Sequence, residues 1–168
     1  MFREMRRRKQ ALSLESCVEV LWKGTSGVLA VSGDDGYPYA VPLSYVYDDG
    51  RLFFHCAPSG HKLDAIAGNE KASFCVIDQD HVVPEEYTTY YRSVIAFGRA
   101  RVLEDEGEKR AALEKLAERY SPRQEEGRRA EIDKLFQRVC MVELAVEHMS
   151  GKEAIELVTE KERQGKPC

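Results

Sequence analysis

Apolar residues recur at three- and four-residue steps over Leu14, Cys17, Val18 and Leu21, which predicts a short helix capped by Ser13, running to about Lys23 and stopped by Gly24. The period then changes. Gly27–Ser32 reads as a small apolar strand, and Gly33-Asp34-Asp35-Gly36 supplies residues that tolerate positive φ in a hairpin loop. From Tyr37 to Asp48 the alternation is strict: Tyr37, Tyr39, Val41, Leu43, Tyr45 and Tyr47 share one face of a strand, with Pro38, Ala40, Pro42, Ser44, Val46 and Asp48 on the other. Its two prolines place at least part of this strand on an edge or at a bulge, because each lacks the N–H that a central ladder needs. Asp48-Asp49-Gly50 reads as a second hairpin turn, returning as a strand over Arg51–Cys56.

A short helix is expected from about Gly60 to Ala67, with Leu63 and Ile66 on its buried side and Gly68-Asn69 closing it. Lys71–Ile77 and Ser93–Leu103 read as further strands, while Asp78–Tyr91, long, aromatic and without clear period, reads as an irregular functional loop. Two amphipathic helices follow, around Glu106–Tyr120 and Arg128–Gln137, then a last strand over Val139–Val146 and a frayed polar tail from Glu160. Short antiparallel strands joined by hairpins, with few helices between them, predict a mainly β (α+β) domain: a closed or nearly closed antiparallel β-barrel with peripheral helices. The regular βαβ alternation of a dinucleotide-binding fold is missing, and so is a G-x-G-x-x-G or G-x-x-x-x-G-K-[ST] loop.

Composition narrows the functional classes. The 168 residues are 43% hydrophobic and 32% charged, enough chain for one core and too aromatic for a disordered segment. A net charge of −4 argues against a general nucleic-acid binder. The basic run Arg3, Arg6, Arg7, Arg8, Lys9 touches phosphate or a membrane surface, or is a solvated arm. With no apolar run near membrane-spanning length and no signal-peptide pattern, the expectation is a cytoplasmic protein with no membrane partner. Five widely spaced cysteines without a C-x-x-C pair signal neither a disulfide framework nor a zinc ribbon, and the four histidines lack metal-ligand spacing; no metal site is expected. The acidic pairs Asp34/Asp35 and Glu85/Glu86 fall in turn-like stretches and are not distinguishable from loop residues.

The chemistry concentrates in His55-Cys56-Ala57-Pro58-Ser59-Gly60-His61-Lys62, a strand end that turns into a helix. Ser59 is a natural N-cap, and Gly60 permits close approach of a ligand. His61 and Lys62 then lie in the first turn, where cations oppose the helix dipole. Either an anion such as phosphate docks there on the free amides and Lys62, or both side chains point into water. His55 is a structural strand histidine or part of the site; Cys56 is a small core residue or lines the same pocket. Tyr87, Tyr90, Tyr91 and Arg92 form a second cluster, suited to stacking on a planar ring and pairing with an anion, or to packing.

The ordered set His55-Cys56-Ala57-Pro58-Ser59-Gly60-His61-Lys62-Leu63-Asp64-Ala65-Ile66, then Asn69-Glu70-Lys71-Ala72-Ser73-Phe74, resembles the flavin-binding segment of the pyridoxamine 5′-phosphate oxidase-like split β-barrel superfamily. The nitroimidazole-resistance (Nim-like) proteins are most similar within it. Arg6-Arg7-Arg8-Lys9, Gly36 to Leu43, Tyr91 to Gly98 and Ser150-Gly151-Lys152 extend the likeness over residues 6 to 152.

The resemblance implies a six-stranded split barrel that forms a homodimer and binds FMN in a groove between subunits. It implies that His61 and Lys62 grip the flavin phosphate, an arginine being frequent where this chain has His61. Pro42, Leu43, Ser44, His55, Cys56 and Ala57 would line the ring and ribityl chain, with Ser93 and Val94 facing them and Gly60 in the turn. His55 matches a histidine placed near the flavin, where it would act catalytically as a proton donor or orienting group. The implied domain layout is a basic arm over 1–12, the FMN-binding barrel over 13–158 and a polar tail over 159–168. The implied activity is an oxidoreductase taking electrons from NADH or NADPH to a small electrophile such as a nitroaromatic. A non-catalytic flavin store and a haem-binding barrel are the alternatives; residues for oxidising vitamin B6 are not seen.

Overall fold

The computed structural model describes residues 2–165. After a 3-10 turn at Arg8–Gln10 come α1 (Leu14–Lys23), β1 (Ser26–Ser32), β2 (Pro38–Ser44), β3 (Val46–Asp48), β4 (Arg51–Cys56) and α2 (His61–Gly68). The long strands β5 (Lys71–Val83) and β6 (Thr88–Val102) follow, then α3 (Glu106–Tyr120), α4 (Glu125–Leu135), β7 (Cys140–Glu153) and α5 (Ile155–Arg163). All strand pairings are antiparallel, in the order β2-β1-β5-β6-β7-β4-β3. The two outermost strands, β2 and β3, are joined through Tyr45 alone, so the chain itself bridges the sheet's two edges and makes a split barrel.

Seven strands replace the expected six because Tyr45 breaks the alternating Tyr37–Asp48 segment in two. Its ring is fully buried and packs edge-on against Phe74 at 5.0 Å. Its hydroxyl donates to the Leu21 carbonyl at 2.7 Å, satisfying one of the orphan acceptors at the end of α1. The backbone N–H of Tyr45 is satisfied off the ladder, by the Tyr120 hydroxyl at 3.0 Å. Burial pushes the Tyr45 phenol well above its ordinary range. Tyr45→Phe is expected to lower stability by about 1–2 kcal/mol, through loss of this bond and an unsatisfied carbonyl; denaturant unfolding with unchanged m measures it.

The prolines sit as expected. β2 pairs only with β1, its odd residues turned toward the barrel and Pro38 and Pro42 exposed. The turns also fall where the sequence placed them, with Asp35 (φ 53°), Gly36 (φ 80°), Asp49 (φ 45°) and Gly50 (φ 75°) left-handed. The barrel interior is filled by Leu21, Leu29, Phe54, Phe74, Val94 and Leu144, and a second cluster beneath α3 and α4 holds Phe53, Leu113, Leu116, Ile132, Phe136 and Met141.

Three expectations are corrected. Asp78–Tyr91 is not an irregular loop: after a bulge between Ile77 and Gln79, the β5–β6 ladder continues to Val83–Thr88, and Pro84–Tyr87 make the turn. This ribbon projects beyond the core, so neither face needs an apolar row and the alternation that betrays a strand is absent. β7 likewise runs seven residues past Val146, to Glu153, because β6 provides a full-length partner. The polar tail is helical to Arg163, with Leu157 and Val158 buried. The basic arm is tied down from its end: Gln10 is buried and donates to the Glu153 carbonyl at 3.0 Å, and Leu12 N–H donates to Gly151. No helix among the described residues is long and apolar enough to cross a membrane.

Candidate functional site

The end of β4 and the start of α2 differ from the sequence expectation in one respect that favours a ligand. Ser59 does not cap α2. Gly60 is the N-cap, at φ 137° and ψ 168°, and no side chain bonds the first-turn amides. Only a glycine adopts this conformation without strain, and space around it is open, since nothing lies within 4 Å of a Cβ placed there. The Gly60 carbonyl accepts from Leu63 and Asp64, so the amides of His61 and Lys62 at the head of the helix remain for an outside acceptor.

The two cations of this turn have different fates. His61 stacks on Tyr39, centroids 4.1 Å apart, and its Nε2 lies 3.5 Å from Asp34. Lys62 is half-buried, and no ion pair holds it among the described residues. Arg92, singled out as an anion partner, is spent: it donates to Asp78 and to buried Glu153, each at 3.0 Å, and Lys161 also donates to Glu153 at 2.6 Å. The tyrosines beside it do not form a ring platform. Tyr87 is exposed at the ribbon tip, Tyr90 donates to Glu86 at 2.8 Å, and Lys152 lies over Tyr91.

Strand alternation divides the remaining candidates. Pro42, Ser44, His55, Ala57, Gly60 and His61 are exposed and Ser93 is half-buried, whereas the side chains of Leu43, Cys56 and Val94 turn toward the barrel core, Val94 completely buried. Those three offer a ligand only their backbone. Burial, with Cys140 beside it, pushes the Cys56 thiol up to about 11, and the Lys62 ammonium pulls the other way.

Ser44 and His55 are brought together at an open cavity of about 330 Å³, lined by Leu113, Leu116, Ile132 and Val139. A volume near the lower end of small-molecule sites, with apolar walls and few polar groups, suits a small aromatic or aliphatic ligand. Sequence reasoning took these α3 and α4 residues only as packing stripes, and nothing in their period distinguishes a helix that seals a core from one that roofs a cavity. Among the described residues no group of three or more His, Cys, Asp or Glu is arranged to hold a metal ion.

The fold is thus a split barrel whose fourth strand leads into an uncapped helix, with an apolar cavity at Ser44 and His55 under α3 and α4. Residues 13–153 match the family described as Pyridoxamine 5′-phosphate oxidase, and the chain belongs to that family. No curated protein matches it. Among solved structures it is similar to a candidate 5-nitroimidazole antibiotic resistance protein from Bacteroides thetaiotaomicron, at 21% identity and a TM-score of 0.74 over 85% of this chain and 86% of the other. It is also similar to a FAD-binding protein from Mesorhizobium loti (27%, TM-score 0.64, covering 86% and 97%). A FAD and heme binding protein from Mycobacterium smegmatis (27%, TM-score 0.72, covering 87% and 73%) is a further neighbour.

Proposed function

We propose that this protein is a homodimeric FMN-binding flavoprotein that passes electrons from NADH or NADPH to a small electrophile such as a nitroaromatic. The observation that carries the reading is the uncapped start of α2, with free first-turn amides, open space at Gly60 and Lys62 without an ion-pair partner among the described residues. Two similar proteins are described as binding FAD. FMN is assigned here because a single unpaired lysine at one helix terminus suits one phosphate group.

The residues fit such a group. Lys62 and the first-turn amides would hold the phosphate; Pro42, Ser44, Ala57 and Ser93 lie on accessible faces where they can line the rest. The outer sheet face between them carries an apolar row in register across four strands, Pro42, Val28, Cys75 and Ile95. Val28 and Ile95 are each 37% exposed. A second copy covering this row would bury it and close a groove at Pro42 and Ser93, which is the reason for assigning a homodimer. A bound flavin supplies hydride acceptance and donation. His55, exposed at the mouth of the apolar cavity, holds a proton on a ring nitrogen toward whatever occupies it, and the α3 and α4 walls exclude water.

Lys62→Ala is expected to weaken FMN binding by about 1–3 kcal/mol, roughly 5- to 150-fold, the loss of a charge-assisted hydrogen bond; fluorescence titration reads it, and unchanged affinity removes Lys62 from the site. The activity is tested by following nicotinamide oxidation with a nitroaromatic acceptor and added FMN. Flavin-dependent turnover that falls in His55→Ala supports the reductase; tight FMN binding without turnover leaves a flavin store.

A further inference from the structure

Cys56 and Cys140 are 84 positions apart in sequence and directly opposite one another across β4 and β7. Their side chains therefore leave the sheet on the same face, the one that carries Leu52 and Phe54 into the barrel. The Met141 carbonyl accepts from Leu103 on the far side of β7, at 2.9 Å, so Cys140 directs its own backbone groups toward β4. In such a hydrogen-bonded antiparallel pair the Cα atoms stand about 5.5 Å apart, inside the range of about 4.4–6.8 Å that a disulfide spans. Both are free thiols and both are half-buried rather than sealed in the core. Neither side chain has a role in the proposed chemistry, Cys56 offering a ligand only its backbone.

The geometry points to Cys56 and Cys140 as a dithiol that closes reversibly into a cross-strand disulfide when a low-molecular-weight disulfide is supplied. One thiolate attacks the small disulfide, forming a mixed disulfide and expelling one small thiolate. The second cysteine, as thiolate, attacks the protein sulfur of that mixed disulfide and expels the other. The two protein thiols lose two protons and two electrons, and the small disulfide is reduced to two thiols. Closure fastens the end of β4, from which Ala57–Gly60 lead into α2, to the start of β7. Burial holds Cys56 mostly protonated near neutrality, so exchange is driven at alkaline pH.

The test is made on the full chain, reduced and then incubated with 2-hydroxyethyl disulfide at about pH 9, where the thiolate fraction is larger. Digestion is expected to yield a peptide pair joined through Cys56 and Cys140, lighter by about 2 Da, two hydrogens, than the two reduced peptides together, whatever mixed disulfides the other cysteines carry. Cys140→Ser should instead leave Cys56 as a mixed disulfide, while Cys75→Ser should still give the Cys56–Cys140 peptide pair. Dithiothreitol should restore the original mass. The inference is overturned if both thiols of the folded, unaltered protein remain open to alkylation, or if the linked peptides contain other cysteines. Because the readout is mass, it stands whether or not the protein binds flavin.

Discussion

Replacing Phe74 with alanine is expected to lower the unfolding free energy by about 3–5 kcal/mol, the usual cost of deleting a buried aromatic ring. Phe74 lies on β5 with no exposed surface, stacks on Phe54 of β4 at 6.1 Å and meets Tyr45 at 5.0 Å. It thus connects the β1-β5-β6 side of the sheet, through the barrel interior, to the chain where the two edges meet. Gly27 has no room for a Cβ, which would lie 2.2 Å from the Phe74 ring, so the backbone of β1 is already pressed against it. The cavity left by alanine cannot collapse without drawing in strands from both sides. Against a typical stability of about 5–15 kcal/mol, such a loss is roughly a fifth or more of the total, and a denaturant midpoint that barely moves would contradict this account of the core.

Ile95→Glu is expected to convert the proposed dimer to a monomer and remove the proposed FMN binding with it. Ile95 ends the outer apolar row on β6, opposite Cys75 on β5 and next to Ser150 on β7, and in the proposed dimer a carboxylate there would be buried without a partner. Stranding a charge in this way costs several kcal/mol. In the isolated subunit the position is partly exposed, so the fold should survive. Light scattering after gel filtration measures the mass and circular dichroism confirms the fold. A dimer that persists with FMN affinity intact would place both the interface and the groove elsewhere.

What was legible in the chain is what local chemistry dictates. Ser13 accepts from Ser16 N–H as a cap, Gly24 closes α1, and the alternation over Pro38–Ser44 sorts Tyr39, Val41 and Leu43 from Pro38, Ala40, Pro42 and Ser44 correctly, because one side of β2 faces the core. The exposed β5–β6 ribbon was not legible, since a strand with two solvated faces leaves no period to read. Nor was the capping of α2: Ser59 has the right chemistry, but Gly60 at φ 137° takes the cap position and leaves the first turn open. Long-range contacts are likewise silent in sequence. Asp34 beside His61, Asp78 and Glu153 around Arg92, and the α3–α4 roof above His55 arise only when the strands assemble. They redistribute the candidate roles, leaving Lys62 as the cation at the turn without an ion-pair partner among the described residues, and His55 as the histidine facing a cavity.

The central claim, a flavin seated at the start of α2, is tested most directly by the visible absorption spectrum of the purified protein with and without added FMN, followed by mass identification of what denaturation releases. The account predicts a yellow protein that retains FMN through gel filtration and releases it on denaturation. A protein that stays colourless after incubation with excess FMN would contradict it.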